Sequence, residues 1–173
     1  MRMTMNFSIS RMDSPVGPLE LANDAEGRVR GVSFGGGVSQ TMARIYPGVV
    51  LTHGSPQAAI VDALSAYFGG DLAALRRVPW TLDGAWEGDG FRGRVWRALA
   101  EITTGTTITY GEMAKRAGEP GAAQAAGIAL NRNPIPVILP CHRVIGIDGS
   151  MVGFGGGLER KTWLLRHEGA ILI

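Results

Sequence analysis

The chain has 173 residues, 45% of them hydrophobic and 18% charged, with a formal net charge of +2. That composition supports a buried core and excludes disorder by composition, and the length suits one domain or two small ones packed together. No apolar run is long enough to cross a bilayer, the opening Met-Arg-Met-Thr-Met-Asn-Phe-Ser lacks the apolar stretch of a secretion signal, and the single cysteine, Cys141, excludes an internal disulfide. A cytoplasmic protein is expected. No metal site is expected either, because Cys141, His53, His142 and His167 show no ligand spacing.

The charge is unevenly placed. Residues 1–84 hold seven Arg against seven acidic residues, and residues 85–173 hold ten basic against eight acidic. Only Lys115 and Lys161 are lysines. Guanidinium, with its planar fork of donors, suits phosphate. An excess of this size hints at a partner without naming one.

In chain order, the Leu19/Leu21 alternation reads as a short strand that turns at Asp24 to Gly27. Val29 to Phe34 alternates again, with Val32 and Phe34 on one face, and Gly35-Gly-Gly37 ends it. Ile60, Val61, Leu64 and Phe68 recur at helical spacing over Ala58 to Phe68, and Gly69-Gly70 stops the helix. His53 sits in a loop and is expected at the surface. Leu82 to Gly90, with three glycines among acidic residues, reads as a linker. It divides an N-terminal domain, 1–84, from a C-terminal domain, 85–173.

Beyond the linker, Phe91, Val95, Leu99 and Ile102 form the stripe of an amphipathic helix. Thr109-Tyr-Gly-Glu112 is a capping-box pattern that opens another helix. Gly118-Glu-Pro-Gly121 closes it, and Ala122 to Arg132 reads as a further helix, stopped before Pro134. Two short helices with a four-residue turn fit a helix-turn-helix, and also fit an ordinary helix pair. The second is slim: Ala122, Ala123, Ala125, Ala126, Gly127 and Ala129 leave little side-chain bulk. It can pack tightly against another helix or come close to a nucleic-acid groove. Gln124, Gly127 and Asn131 share one small polar face.

The densest chemistry lies in Pro134-Ile-Pro-Val-Ile-Leu-Pro-Cys-His-Arg-Val144. An apolar run delivers one thiol between a proline and a histidine. Such a thiol is either a small buried hydrophobe or a nucleophile. A nucleophile acts as thiolate and needs a cationic or donor-rich setting, which His142 and Arg143 supply nearby. In an extended segment neighbouring side chains diverge, so a water or a local bend would have to link Cys141 and His142. Leu158 to His167 reads as the last helix, with Gly169 past its end. Lys161, Leu164, Leu165 and Glu168 fall on its apolar stripe. A carboxylate at a helix C-terminus is unfavourable by about 0.3–1 kcal/mol, so something else should hold Glu168, and an oriented histidine fits. Gly153-Phe-Gly-Gly-Gly157 lacks the Lys-Ser/Thr of a phosphate loop and suits a close-folding pocket wall with Phe154.

Pro140-Cys-His-Arg-Val144, with Asn133-Pro134 before it, Gly153-Phe-Gly-Gly-Gly157 after it and Leu164-Leu-Arg-His-Glu-Gly169 at the end, resembles the O6-alkylguanine-DNA alkyltransferases (methylated-DNA–protein-cysteine methyltransferases). Phe91 to Trp96 and Gly105-Thr-Thr-Ile-Thr-Tyr-Gly111 match as well. The likeness is dense from Phe91 to Gly169 and loose over 13–84. It implies an α+β fold, with an N-terminal ribonuclease-H-like α/β part and a C-terminal helical part carrying a helix-turn-helix. It implies a monomer that binds double-stranded DNA through the minor groove. Such a protein flips out the damaged guanine and moves its O6-alkyl group, or an O4-alkyl group of thymine, irreversibly onto cysteine. No cofactor is implied.

By the resemblance, Cys141 would be the acceptor, His142 a base acting through water, Glu168 its orienter and Asn133 a brace. Tyr110, Gln124, Ala125, Gly127, Asn131, Arg132 and Arg143 would contact DNA. Tyr110, Val144, Val152, Phe154 and Gly155 would line the guanine pocket. The chain departs from the family pattern at Gln124, where an arginine is usual, and at Phe154 and Gly155, where tyrosine and serine are. Arg92 and Thr103 replace the usual glutamine and proline. Gln124 should flip a duplex base less well. Two other readings stay open: a damage-binding protein with weak transfer, and a thiol alkyltransferase acting on a substrate other than DNA.

Overall fold

The computed structural model describes residues 4–85, 90–149, 154 and 156–171. They form two units, Met1–Ala85 and Trp86–Ile173.

In the first unit, β1 (Asn6–Met12), β2 (Leu19–Asn23) and β3 (Val29–Phe34) make an antiparallel meander. Helix α1 (Val38–Ile45) then carries the chain across to β4 (Val50–His53), which pairs parallel to β1. The sheet order is β3-β2-β1-β4. A parallel neighbour needs such a crossover, since no tight turn can return the chain in the same direction. Helix α2 (Ala58–Phe68) and a 3-10 turn (Leu72–Arg77) follow. Phe7, Ile9, Ala22, Val38, Met42 and Tyr46 form a core cluster against α1. Gly31 lets α1 approach the sheet: a Cβ there would stand 2.6 Å from Met42 Cε. Arg30 is buried in this unit. Its Nε donates to Asp24 at 2.9 Å and one terminal nitrogen to the Asp83 carbonyl at 2.6 Å.

In the second unit, α3 (Phe91–Leu99), α4 (Tyr110–Arg116) and α5 (Ala123–Asn131) pack on one another. Val95, Trp96, Leu99 and Ile102 are buried, as the stripe requires. Trp96 enters the interior because its indole N–H reaches the Ala129 carbonyl at 2.9 Å. Thr109 caps α4 by accepting the Glu112 N–H at 3.1 Å. Two short strands, β5 (Ile108–Thr109) and β6 (Val144–Ile145), pair in parallel and set the start of α4 beside the end of the Cys141 segment. The last helix, α6 (Leu158–His167), ends at Gly169, which takes a positive φ of 75°.

Candidate active site

The chain from Asn133 to Cys141 is a tight, buried loop. Asn133 spans it, donating from Nδ2 to the Leu139 carbonyl at 2.8 Å and accepting the Ile135 N–H at 3.0 Å. Ile135, Val137 and Leu139 anchor the loop in the interior. Val137 holds a φ of 74°, the left-handed region, where a β-branched residue is rare and strained.

The loop ends in a 3-10 turn, Cys141–Arg143, and not in the extended backbone read from the sequence. The local bend lets all three side chains of Cys-His-Arg turn inward. Cys141 is 8% exposed, His142 0% and Arg143 4%.

Glu168, just past α6, faces this turn. Its Oε2 accepts from His142 Nε2 at 3.0 Å, and its two oxygens accept from Arg143 Nη2 and Nε, each at 2.9 Å. Arg143 also donates to the Ile102 carbonyl at 2.6 Å and to the Thr104 hydroxyl at 3.1 Å. Burial would raise the Glu168 pKa, but Arg143 and His142 outweigh it and hold the carboxyl well below the usual carboxylate range. Burial pushes the His142 pKa down, with Glu168 opposing. A neutral imidazole that donates Nε2–H to Glu168 keeps its lone pair on Nδ1. That Nδ1 is buried and has no hydrogen-bond partner among the described residues.

Arg143 corrects one expectation. Placed among the DNA contacts by the resemblance, it is buried, and its guanidinium is held by Glu168, Ile102 and Thr104. Its position one residue past the histidine in a 3-10 turn puts it inside.

Lys161 is the residue whose role the sequence reading missed. It is 0% exposed, and its Nζ donates to the Val144 carbonyl at 2.7 Å and lies 5.9 Å from the Tyr110 ring centroid. Burial lowers its pKa to about 8, with Cys141 opposing. Burial pushes the Cys141 thiol up to about 11, while the Asn133 side chain and the Lys161 ammonium pull it the other way. Burial also raises the Tyr110 pKa, and charge on Cys141 adds to it. The thiol is thus the group on which the lysine, the phenol and the asparagine amide all bear. The available signal was a lysine on an otherwise apolar helix stripe, a pattern that calls for a buried partner.

Of the other expected residues, Gln124, Ala125, Asn131 and Arg132 are exposed on or just past α5. Gly127 is only partly exposed, since a Cβ there would meet the Tyr110 ring at 3.7 Å. Val144 is buried and Phe154 half-buried. Val152 and Gly155 lie outside the described residues. His53 is exposed at the end of β4. Among the described residues, no cluster of His, Cys, Asp and Glu could hold a metal ion, and no helix is long and apolar enough to cross a membrane.

The family model for the 6-O-methylguanine DNA methyltransferase DNA-binding domain matches residues 90–170. A methylated-DNA–protein-cysteine methyltransferase of Salmonella typhimurium is 38% identical over 168 residues, covering 94% of this chain and 96% of that one. One from Mycobacterium leprae is 43% identical over 157 residues, covering 91% and 89%. Among solved structures, Mycobacterium tuberculosis OGT in complex with DNA superposes with a TM-score of 0.74 at 37% identity, covering 94% of this chain and 92% of that one. Matched to these relatives over nearly its whole length, the chain belongs to the methylated-DNA–protein-cysteine methyltransferase family.

Proposed function

We propose that the protein repairs DNA by taking the alkyl group of O6-alkylguanine, and of O4-alkylthymine, onto Cys141. The observation that carries this reading is the His142–Glu168 pair, which leaves His142 Nδ1 as a buried proton acceptor one residue from the only thiol. The Cys141 proton passes through a water to Nδ1. Sulfur then attacks the alkyl carbon and a C–S bond forms. The C–O6 bond breaks and its electron pair goes to the base, which takes a proton and leaves as guanine. Tyr110 stands at the site as the donor to the base, and Lys161 balances the thiolate charge. General acid–base help of this kind supplies about 10²–10⁴ in rate. The product is a thioether, a poor leaving group, so each molecule reacts once and no cofactor is needed.

The same reading covers the binding mode. Helices α4 and α5 act as a helix-turn-helix, and α5 lies in the minor groove of double-stranded DNA with Tyr110, Gln124, Ala125, Gly127, Asn131 and Arg132 at the contact. The small and polar residues Gln124, Ala125 and Asn131 exposed on α5 support this. The first unit takes a ribonuclease-H-like topology, a reading supported by its sheet order and the parallel pairing of β1 with β4. Residues 1–84 and 85–173 are its domains, and the protein works as a cytoplasmic monomer. Val144 and Phe154 line the guanine pocket, and Asn133 braces it.

The test is intact-protein mass after incubation with a duplex containing O6-methylguanine. A gain of one methyl group, mapping to Cys141 and absent in Cys141→Ala, is expected, with DNA binding retained by the variant. No gain on duplex or single strand, while a free alkylated nucleobase still reacts, would favour a substrate other than DNA.

A further inference from the structure

We infer that Ile128 is an apolar wedge through which α5 unstacks the bases beside a lesion; this deepens the reading above and rests on it. Ile128 is 53% exposed on α5 and is the one large apolar side chain exposed among that helix's described residues. The opposite side of the helix, Ala126, Ala129 and Leu130, is buried. Ile128 stands four residues after Gln124 and three from both Ala125 and Asn131, so all four share one stripe. Exposed Arg132 follows at its end.

An exposed isoleucine in a helix is doubly disfavoured. It is a weaker helix former than alanine, and it leaves apolar area in water. The other outward residues here are small or polar, so the site spends that cost at one place. DNA-bending proteins insert Ile, Leu, Met or Phe between base steps from the minor groove to unstack them. Isoleucine suits the task because its χ1 is already fixed in a helix, so little side-chain freedom is lost on insertion. At 1.5 Å per residue, Ile128 lies about 6 Å along the axis from Gln124, close to two base steps. Gln124 is uncharged and flexible, so it holds a displaced base's place only by hydrogen bonding. A rigid apolar neighbour one turn away supplies the unstacking that the amide lacks.

The experiment measures single-turnover transfer from an O6-methylguanine duplex and from free O6-benzylguanine, with 2-aminopurine beside the lesion reporting unstacking. Ile128→Ala should lower the duplex-to-free-base rate ratio about tenfold, the value of losing roughly half an isoleucine's burial, and should quench the 2-aminopurine rise. Ile128→Leu should restore both to within about threefold, as a conservative wedge would. A ratio and a 2-aminopurine signal in Ile128→Ala within twofold of wild type would overturn the inference. So would Ile128→Ala dissolving a dimer with the ratio unchanged, since Ile128 would then join two copies of the chain. Failure of the wild-type protein to take an alkyl group from any DNA would instead sink the repair reading, and this inference with it.

Discussion

Replacing Glu168 with glutamine keeps the size of the side chain and removes one charge. In the wild-type site the carboxylate accepts from His142 at 3.0 Å and from Arg143 twice at 2.9 Å. The amide has one oxygen to offer, and its NH₂ group turns a donor toward another donor. Arg143 is left with an uncompensated buried charge, a situation that costs about 3–5 kcal/mol. The Ile102 and Thr104 contacts survive, so the lower end, about 3 kcal/mol, is expected. For a chain of this size, that is a fall in Tm of about 6–12 °C. The effect on chemistry is separate. If the amide N–H faces His142 Nε2, the imidazole must carry its proton on Nδ1, and the acceptor toward Cys141 disappears. Transfer from an O6-methylguanine duplex should slow about 10²–10⁴-fold, the whole contribution of a general base.

The pH dependence has a fixed sign. Glu168 sits below the ordinary 4.5 in the folded protein. Its contribution to stability is therefore present above 4.5 and lost as pH falls below it. The gap in Tm between wild type and Glu168→Gln should be full at neutral pH and shrink below about pH 4.5. Scanning calorimetry from pH 3 to 8 and quench-flow transfer assays measure both. A variant within 2 °C of wild type at pH 7 and within threefold in rate would refute the account of the site.

Lys161→Met should slow both transfer and iodoacetamide modification of Cys141 at pH 7, by about tenfold for each pKa unit the thiol rises. The lysine titrates at about 8, so the advantage of wild type over the variant should be largest below that pH and fade above it. Equal iodoacetamide rates across pH 6–9 would remove Lys161 from the chemistry. Gln124→Arg should speed transfer from duplex DNA relative to single strand, by adding reach and phosphate attraction at the exposed face of α5. An unchanged duplex-to-single-strand ratio in stopped-flow would show that this position does not limit flipping.

Much of the second unit was legible because its signals are local. The capping box at Thr109, the stripe of α3 and the bounds of α6 each depend on residues within a turn or two. Glu168 could be matched to the histidine because a carboxylate at a helix C-terminus demands a partner. The conformation of Cys141–Arg143 was not legible. Three residues after a proline carry no periodicity, and the turn is set by distant partners, Ile102, Thr104 and Glu168. The same applies to β5 and β6, two residues each, whose pairing joins positions 36 apart in sequence, Ile108 with Val144. In the first unit α1 escaped notice because Gly35-Gly-Gly37 reads as a terminator, and its apolar residues Val38, Met42 and Ile45 are few. Strand β1 alternates weakly, with serines and an arginine between Phe7, Ile9 and Met12.

Lys161 and Glu168 lie seven residues apart, two turns and about 10 Å along one helical rod. One grips the backbone just after the Cys141 turn, and the other grips the turn itself. The counter-ion of the sulfur and the support of the imidazole therefore arrive and depart together, with the seating of a single C-terminal segment. If that segment frays, the sulfur reverts to an ordinary hydrophobic thiol, and reactivity becomes a direct readout of whether α6 is docked.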